Sequence, residues 1–177
     1  MLKLAGRVRP RGELLVAPLS QRPCCAYRIR VLAIDEESQE VVLDEASGTD
    51  CYLEDESGRA LLPLSIESQI ILVLAEERSV GLKSVAKLDS TMATLLAARG
   101  IDLKKIKKLL QRSRELTMIE SVAVAGMALT VVGQGQPTSD APRSGGTRPP
   151  QFTLRAPPRL LLTNYTFKAL WGNRPLF

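Results

Sequence analysis

The sequence predicts a mainly β fold with an α insertion: an OB-like, partly open β-barrel with one or two helices inserted before the last hairpin. About eight short apolar runs are separated by glycine, proline and polar turn residues, which is typical of small barrels. The hydrophobic period becomes helical only between residues 89 and 114. With 177 residues, 45% of them hydrophobic, the chain is long enough to bury a core.

Composition removes several kinds of catalytic site. The chain has no histidine, which excludes histidine general bases, Ser-His-Asp and Cys-His arrangements, and zinc sites that need histidine. Its three cysteines, Cys24, Cys25 and Cys51, are too few for a four-thiolate zinc site. We expect three free, buried thiols in a reducing compartment. No catalytic residue, metal ligand or cofactor is predicted.

Charge is unevenly distributed along the chain. Residues 1–30 carry seven basic side chains against one acidic, whereas residues 31–60 carry ten acidic against one basic. The net charge of +5 therefore combines regions of opposite sign, which can attract each other within or between molecules. This distribution argues against a uniformly basic nucleic-acid-binding protein.

The first part of the chain predicts a series of short strands. Residues 2–8 alternate weakly, and Gly6 among them indicates a bulge or a close approach of another backbone. A short segment at 14–16 stops at a proline. Residues 24–34 form a clearer alternating strand, and residues 40–43 predict another.

Residues 51–64 predict a β-hairpin with an acidic turn. In the motif Asp55-x-Ser57-Gly58, the Asp and Ser side chains can bond to nearby backbone N–H groups. The acidic residues of this region are Asp50, Glu54, Asp55 and Glu56. They could offer oxygen ligands to Ca²⁺ or Mg²⁺, but their spacing is not that of an EF-hand. We interpret the turn as solvated and as the element that fixes strand register.

A long aliphatic strand is predicted at 66–74, and helices follow it. Asp89-Ser90 predicts the N-cap of a helix from about residue 91 to residue 99, Gly100 its C-cap, and Asp102 the N-cap of a second helix. The apolar stripe of the second helix is Leu103, Ile106, Leu109 and Leu110. Its candidate membrane- or phosphate-facing surface is basic: Lys104, Lys105, Lys107, Lys108 and Arg112. An ordinary surface helix with outward lysines has the same pattern.

The rest of the chain predicts a hairpin, a loop and a closing segment. Residues 116–124 and 127–132 predict the second hairpin, around Gly126. Short strands follow at 152–154 and 160–163, with a final helical turn over Phe167, Leu170 and Trp171. The predicted division is a core at 1–133 that includes the insert 89–114, a flexible Gly/Pro/Ser/Thr-rich loop at 134–151, and a C-terminal part at 152–177 that completes the domain.

Residue groups spread over about residues 1–170 also carry a family resemblance. They are Gly6 and Val8; Ala17-Pro18-Leu19-Ser20; Pro23-Cys24 and Tyr27-Arg28; the run from Leu53 to Ala60; Glu120, Gly126 and Val131-Val132-Gly133; and the run from Leu160 to Asn164. In order and spacing they resemble the GIDE-type domain, also called a beside-a-membrane domain. This family includes a mitochondrially anchored E3 ubiquitin ligase and many bacterial proteins.

The resemblance implies a β-barrel-like module that acts beside a membrane by binding a protein partner or a lipid surface. In the ligase, ubiquitin transfer belongs to a separate RING domain, and nothing in this sequence could serve as a RING, so no enzyme activity is expected. Family members usually carry transmembrane helices, whereas the longest apolar stretch here is far shorter than the ~20 residues needed. We expect a cytoplasmic protein or one peripheral to the inner face of a membrane. The basic helix and the basic N-terminal strand would face that membrane.

A single-stranded nucleic-acid-binding module of the OB type is the alternative. Such proteins stack bases on exposed aromatic side chains beside a basic groove. In the first half of the chain, only Tyr27 and Tyr52 lie in predicted strands, and the surrounding charge is acidic. The sequence therefore disfavours this function.

Overall fold

A computed structural model describes residues 2–65, 70–74, 77–137, 152–155 and 160–164. The strands are β1 (Leu2–Pro10), β2 (Leu15–Val16), β3 (Pro23–Cys24), β4 (Ala26–Ile34), β5 (Gln39–Gly48), β6 (Cys51–Glu54), β7 (Arg59–Leu62), β8 (Ile70–Val73), β9 (Glu77–Leu82), β10 (Glu115–Ala123), β11 (Ala128–Pro137), β12 (Phe152–Arg155) and β13 (Leu160–Thr163). The helices are α1 (Ser90–Ala97) and α2 (Leu103–Arg112), preceded by a 3₁₀ turn at Val85–Lys87.

These strands form three open sheets. The large sheet has the order β1-β6-β7-β12-β11-β13-β8, the small sheet the order β5-β4-β10-β9, and β2 pairs with β3. Strand β1 pairs antiparallel with β11 through Leu2 to Arg7 and with β6 through Arg7 to Pro10. The mainly β class with a two-helix insert is confirmed. No closed barrel is detected in the described ranges, so the OB-like arrangement stays a prediction.

Aliphatic side chains fill two main cores, one on each of the larger sheets. The core of the large sheet includes the fully buried Leu62, Leu64, Leu72 and Leu74. The second core lies between the small sheet and the helices, and its largest fully buried members are Ile29, Leu82, Leu96, Ile106, Leu116 and Met118. Helix α2 therefore packs one face against the protein, and its opposite face is exposed.

Both helices begin at the predicted caps. Asp89 accepts a hydrogen bond from the backbone N–H of Met92, and Asp102 accepts one from that of Lys105, each at 2.8 Å. Each bond satisfies one of the N–H groups that lack a partner in the first helical turn. Gly100 has a φ of +70°, the left-handed conformation expected just after a helix.

The predicted second hairpin is wrong. Strand β10 lies in the small sheet between β4 and β9, whereas β11 lies in the large sheet. The turn between them is a corner that passes the chain from one sheet to the other. Gly126, with a φ of +80°, donates its N–H to the carbonyl of Val8 at 2.8 Å, and the N–H of Val8 donates to the carbonyl of Met127 at 2.9 Å. These bonds tie the corner to β1, so the two strands separate instead of pairing.

Strands β9 and β11 also differ from the prediction. Strand β9 was not predicted, because Glu77, Arg78 and Gly81 interrupt the apolar pattern of what is an edge strand. Strand β11 extends to Pro137, into the predicted loop 134–151, because residues 134–137 pair with β12. Residues 66–69, 138–151 and the predicted helical turn at 167–171 lie outside the described residues.

Candidate functional site

The acidic turn is held by its own side chains. The predicted β6–β7 hairpin forms, and its register places Glu54 opposite Arg59. Oδ1 of Asp55 accepts hydrogen bonds from the Ser57 hydroxyl at 2.6 Å, the Ser57 N–H at 2.8 Å and the Gly58 N–H at 3.1 Å. These bonds, that of the Ser57 hydroxyl first, lower the pKa of Asp55 because they favour the charged carboxylate. The Asp55 side chain thus organises the turn.

Arg9 in β1 and Arg11 just after it each pair with a neighbouring acidic residue. Nε of Arg9 lies 2.9 Å from a carboxylate oxygen of Glu54, and Nη1 of Arg11 lies 3.2 Å from one of Asp50. The hydroxyl of Ser65 donates to the other carboxylate oxygen of Asp50 at 2.6 Å. Within the described ranges, no group of three or more Asp, Glu, Cys or His side chains is placed to hold a metal ion.

The opposite charges seen in the sequence meet within one molecule. Further pairs join Arg28 to Asp44, Arg99 to Glu45, and Arg114 to Glu36. The hydrogen bonds from Arg28 lower the pKa of Asp44. In β1 and just after it, Arg9 and Arg11 are each paired with a carboxylate, which reduces the free positive charge there and weakens the expectation that this strand faces a membrane.

The outer face of α2, in contrast to these paired arginines, carries exposed basic side chains. Ile106 and Leu109 are buried, and their burial turns the basic positions outward. All five predicted residues are exposed: Lys104, Lys105, Lys107, Lys108 and Arg112. Within the described part of the chain, none of these five side chains makes an ion pair or a hydrogen bond with any other residue. The structure thus brings the predicted basic surface together on one helical face.

Leu103 does not belong to the buried stripe of α2. Its side chain is 53% exposed, in contrast to Ile106 at 1%. It lines an open groove of about 530 Å³ between the two helices, together with Ala93 and Ala97 of α1. The prediction failed here because Leu103 is the first residue of α2 and borders this groove, not the core. It is an apolar neighbour of the basic face.

The two aromatic residues of the nucleic-acid alternative are partly covered by other side chains. The guanidinium of Arg59 lies over the ring of Tyr52, 4.5 Å from its centroid. Tyr27 is half-buried and packs against the cluster of Ala17, Cys24 and Val122. Base stacking needs an open ring face, so these contacts reduce the aromatic surface that the two residues could offer.

Glu120 has a role that the sequence did not reveal. Its side chain is buried, and its two carboxylate oxygens accept the backbone N–H groups of Leu19 at 2.6 Å and Ser20 at 2.9 Å. Nη1 of Arg78, which lies opposite Glu120 on β9, donates to the carbonyl of Leu19 at 3.3 Å. The available signal was a lone acidic residue within an apolar strand. Glu120 fixes the 17–20 turn against the small sheet.

No family model matches this chain, and it matches neither a curated protein nor a solved structure. The GIDE-type resemblance accordingly stays a prediction. Across the described ranges, neither helix has the length and apolar character required to cross a bilayer. The fold and the site define a mainly β protein with a two-helix insert and an exposed basic helical face.

The N-cap of α2 allows a test of how much capping stabilises the helix that carries the basic face. Replacing Asp102 with alanine removes the acceptor of the Lys105 N–H, and we expect the free energy of unfolding to fall by about 1 kcal/mol. Asp102→Asn retains an acceptor oxygen, so its free energy of unfolding should fall by only a few tenths of a kcal/mol. Urea denaturation of both variants measures the difference, and equal losses would contradict the capping role.

Proposed function

We propose that this chain is a non-catalytic, GIDE-like interaction module that adsorbs to the headgroups of an anionic membrane through the outer face of α2. The observation that carries the proposal is the set of five exposed basic residues on α2 that have no acidic partner within the described residues. Elsewhere, Arg9, Arg11, Arg28, Arg99 and Arg114 are each paired with a carboxylate.

The geometry of α2 suits binding to a charged surface. A helix of ten residues is about 15 Å long, so the five charges are concentrated within a short distance. The packed side chains of Ile106 and Leu109 and the Asp102 cap hold the helix in place. Each basic residue near an anionic leaflet contributes about 1 kcal/mol, and the sum is sensitive to salt. Leu103 at the edge of the face could add a small apolar contact.

The residue groups that resemble the GIDE-type domain are far apart in the sequence, but several of them contact one another in the fold. These contacts support the GIDE-like assignment. Gly126 is bonded to Val8, and Glu120 is bonded to Leu19. Backbone atoms of Glu54 lie within 3.1 Å of the position that a Cβ on residue 6 would occupy. These residues thus form one connected framework. The pairing of β1 with both β6 and β11 supports an OB-like arrangement of the strands.

Co-sedimentation with vesicles tests the proposal. The wild-type chain should bind vesicles containing about one-third phosphatidylserine and should dissociate as salt rises towards about 0.5 M. A variant with Lys104, Lys105, Lys107 and Lys108 replaced by glutamine should bind about a thousandfold more weakly, because four contributions of about 1 kcal/mol are lost. Glutamine retains helix propensity, so the fold should persist.

The matched control removes the same charge elsewhere. A variant with Arg9, Arg11, Arg22 and Arg114 replaced by glutamine has the same net charge as the lysine variant, and we expect it to bind nearly as the wild type does. Equal losses would show that net charge, not the α2 face, determines binding. Failure of the wild type to bind anionic vesicles would overturn the proposal. Tighter binding to a single-stranded oligonucleotide, with a steep salt dependence, would favour the nucleic-acid alternative.

A further inference from the structure

An open apolar groove lies between the two helices, next to the basic face of α2. Its volume is about 530 Å³, which falls within the range of about 300–1,000 Å³ that is typical of small-molecule sites. Ile101 and Ile106 line the groove and are buried, so they form its floor. Leu103, which is 53% exposed, forms one wall, and the short side chains of Ala93 and Ala97 on α1 form the other. The groove therefore offers apolar surface that a ligand can cover.

The rim of the groove on α2 is basic. Lys104 lines the groove, and Lys107 lies one helical turn after Leu103 and so on the same side of α2. In the part of the chain that the structure describes, neither lysine has an acidic partner. Asp102 also lines the groove, but one of its carboxylate oxygens accepts the backbone N–H of Lys105 at 2.8 Å. An apolar cleft with a cationic rim matches a ligand that has an apolar chain and an anionic head.

We propose that this groove binds the alkyl chain of a single-chain anionic phospholipid, whose phosphate lies at Lys104 and Lys107. The inference rests on the proposed function, because the groove borders the face that adsorbs to anionic headgroups, and it names the class of lipid that this face selects. Helix α1 has eight residues and is about 12 Å long. That length suits one alkyl chain better than a docked partner protein, which needs about 800 Å² of contact on each side.

Alkyl phosphates, used below the concentrations at which they form micelles, test the site by calorimetric titration of the full chain. Inorganic phosphate and hexyl, octyl and decyl phosphate share the head and differ in the chain. A CH₂ group that leaves water completely tightens binding about fourfold. If the open groove covers about half of each CH₂, every two added carbons should tighten binding about fourfold. Binding should saturate at one alkyl phosphate per protein.

Ala97→Glu and Ala98→Glu form a matched pair of variants. Ala97 lines the groove and Ala98 does not, yet both are exposed at the end of α1. The two variants therefore have the same net charge and share the cost of a carboxylate near a helix C-terminus. In Ala98→Glu, decyl phosphate should still bind about sixteenfold more tightly than hexyl phosphate, as in the wild type. In Ala97→Glu, the carboxylate occupies the groove, so this ratio should fall towards one. Circular dichroism checks that both variants keep the fold.

Two results would overturn the groove assignment. One is equal affinity of the wild type for all the phosphates, which would mean that only the head is bound. The other is the same dependence on chain length in both alanine variants, which would place the chain elsewhere on the protein. Vesicle co-sedimentation reports separately on headgroup adsorption, and both alanine variants should bind anionic vesicles equally. A wild type that fails on vesicles but shows the chain-length dependence would remove the adsorption and support the groove.

Discussion

Glu120→Ala should lower the free energy of unfolding by about 3–4 kcal/mol, a large effect for one substitution. The carboxylate is 1% exposed and accepts two backbone N–H groups, those of Leu19 and Ser20. Hydrogen bonds to a charged group contribute about 1.5–3 kcal/mol each, and alanine leaves both donors without this acceptor. The deleted side chain also leaves a cavity beside β10. Urea denaturation monitored by circular dichroism measures the loss.

Two companion variants separate the hydrogen bonds from other effects. Glu120→Gln keeps one acceptor oxygen but turns an amide N–H towards the second backbone donor, so it should lose roughly half as much stability. Glu37→Ala removes an exposed carboxylate from the β4–β5 connection and should change stability by less than about 0.5 kcal/mol. A Glu120→Ala variant as stable as Glu37→Ala would show that the 17–20 turn does not depend on this carboxylate.

Local patterns explain which parts of the fold could be predicted. The Asp55 turn and the Asp102 cap each depend on residues two or three positions apart, and both formed as expected. Leu19 and Ser20, in contrast, are 101 and 100 residues away from Glu120, so no local pattern could identify them as its partners. The corner at Gly126 has the composition of a hairpin turn, and only its bonds to β1 show that β10 and β11 separate.

In the candidate site, too, local patterns could be predicted from the sequence, whereas contacts between distant residues could not. The basic face of α2 follows from helical periodicity alone, because the burial of Ile106 and Leu109 dictates which residues point outward. The N-terminal strand looked equally basic in the sequence. Arg9 in this strand and Arg11 just after it, however, pair with acids about 40 residues further along the chain, Glu54 and Asp50.

Gly6→Ala should destabilise the protein by about 1–3 kcal/mol, because β1 and β6 approach too closely at this position to admit a side chain. A Cβ on residue 6 would lie 2.7 Å from the carbonyl oxygen of Glu54, 3.0 Å from its carbonyl carbon and 3.1 Å from its nitrogen. All three are backbone atoms, so no rotamer change can relieve the overlap. Strand β6 must move away, which disturbs the pairing of Arg7 with Glu54 and the Arg9–Glu54 ion pair.

Gly12→Ala is the matched control, because nothing lies within 4 Å of the Cβ position at residue 12. It should change stability by less than about 0.5 kcal/mol, or stabilise slightly by restricting the unfolded chain. Urea denaturation compares the two variants, and hydrogen exchange at the Arg7 and Val8 amides locates the damage. Faster exchange at these amides in Gly6→Ala alone would place the strain at the β1–β6 junction. Equal stability of the two variants would instead mean that β6 yields without cost, and the contact between Gly6 and Glu54 would then not hold the strands together.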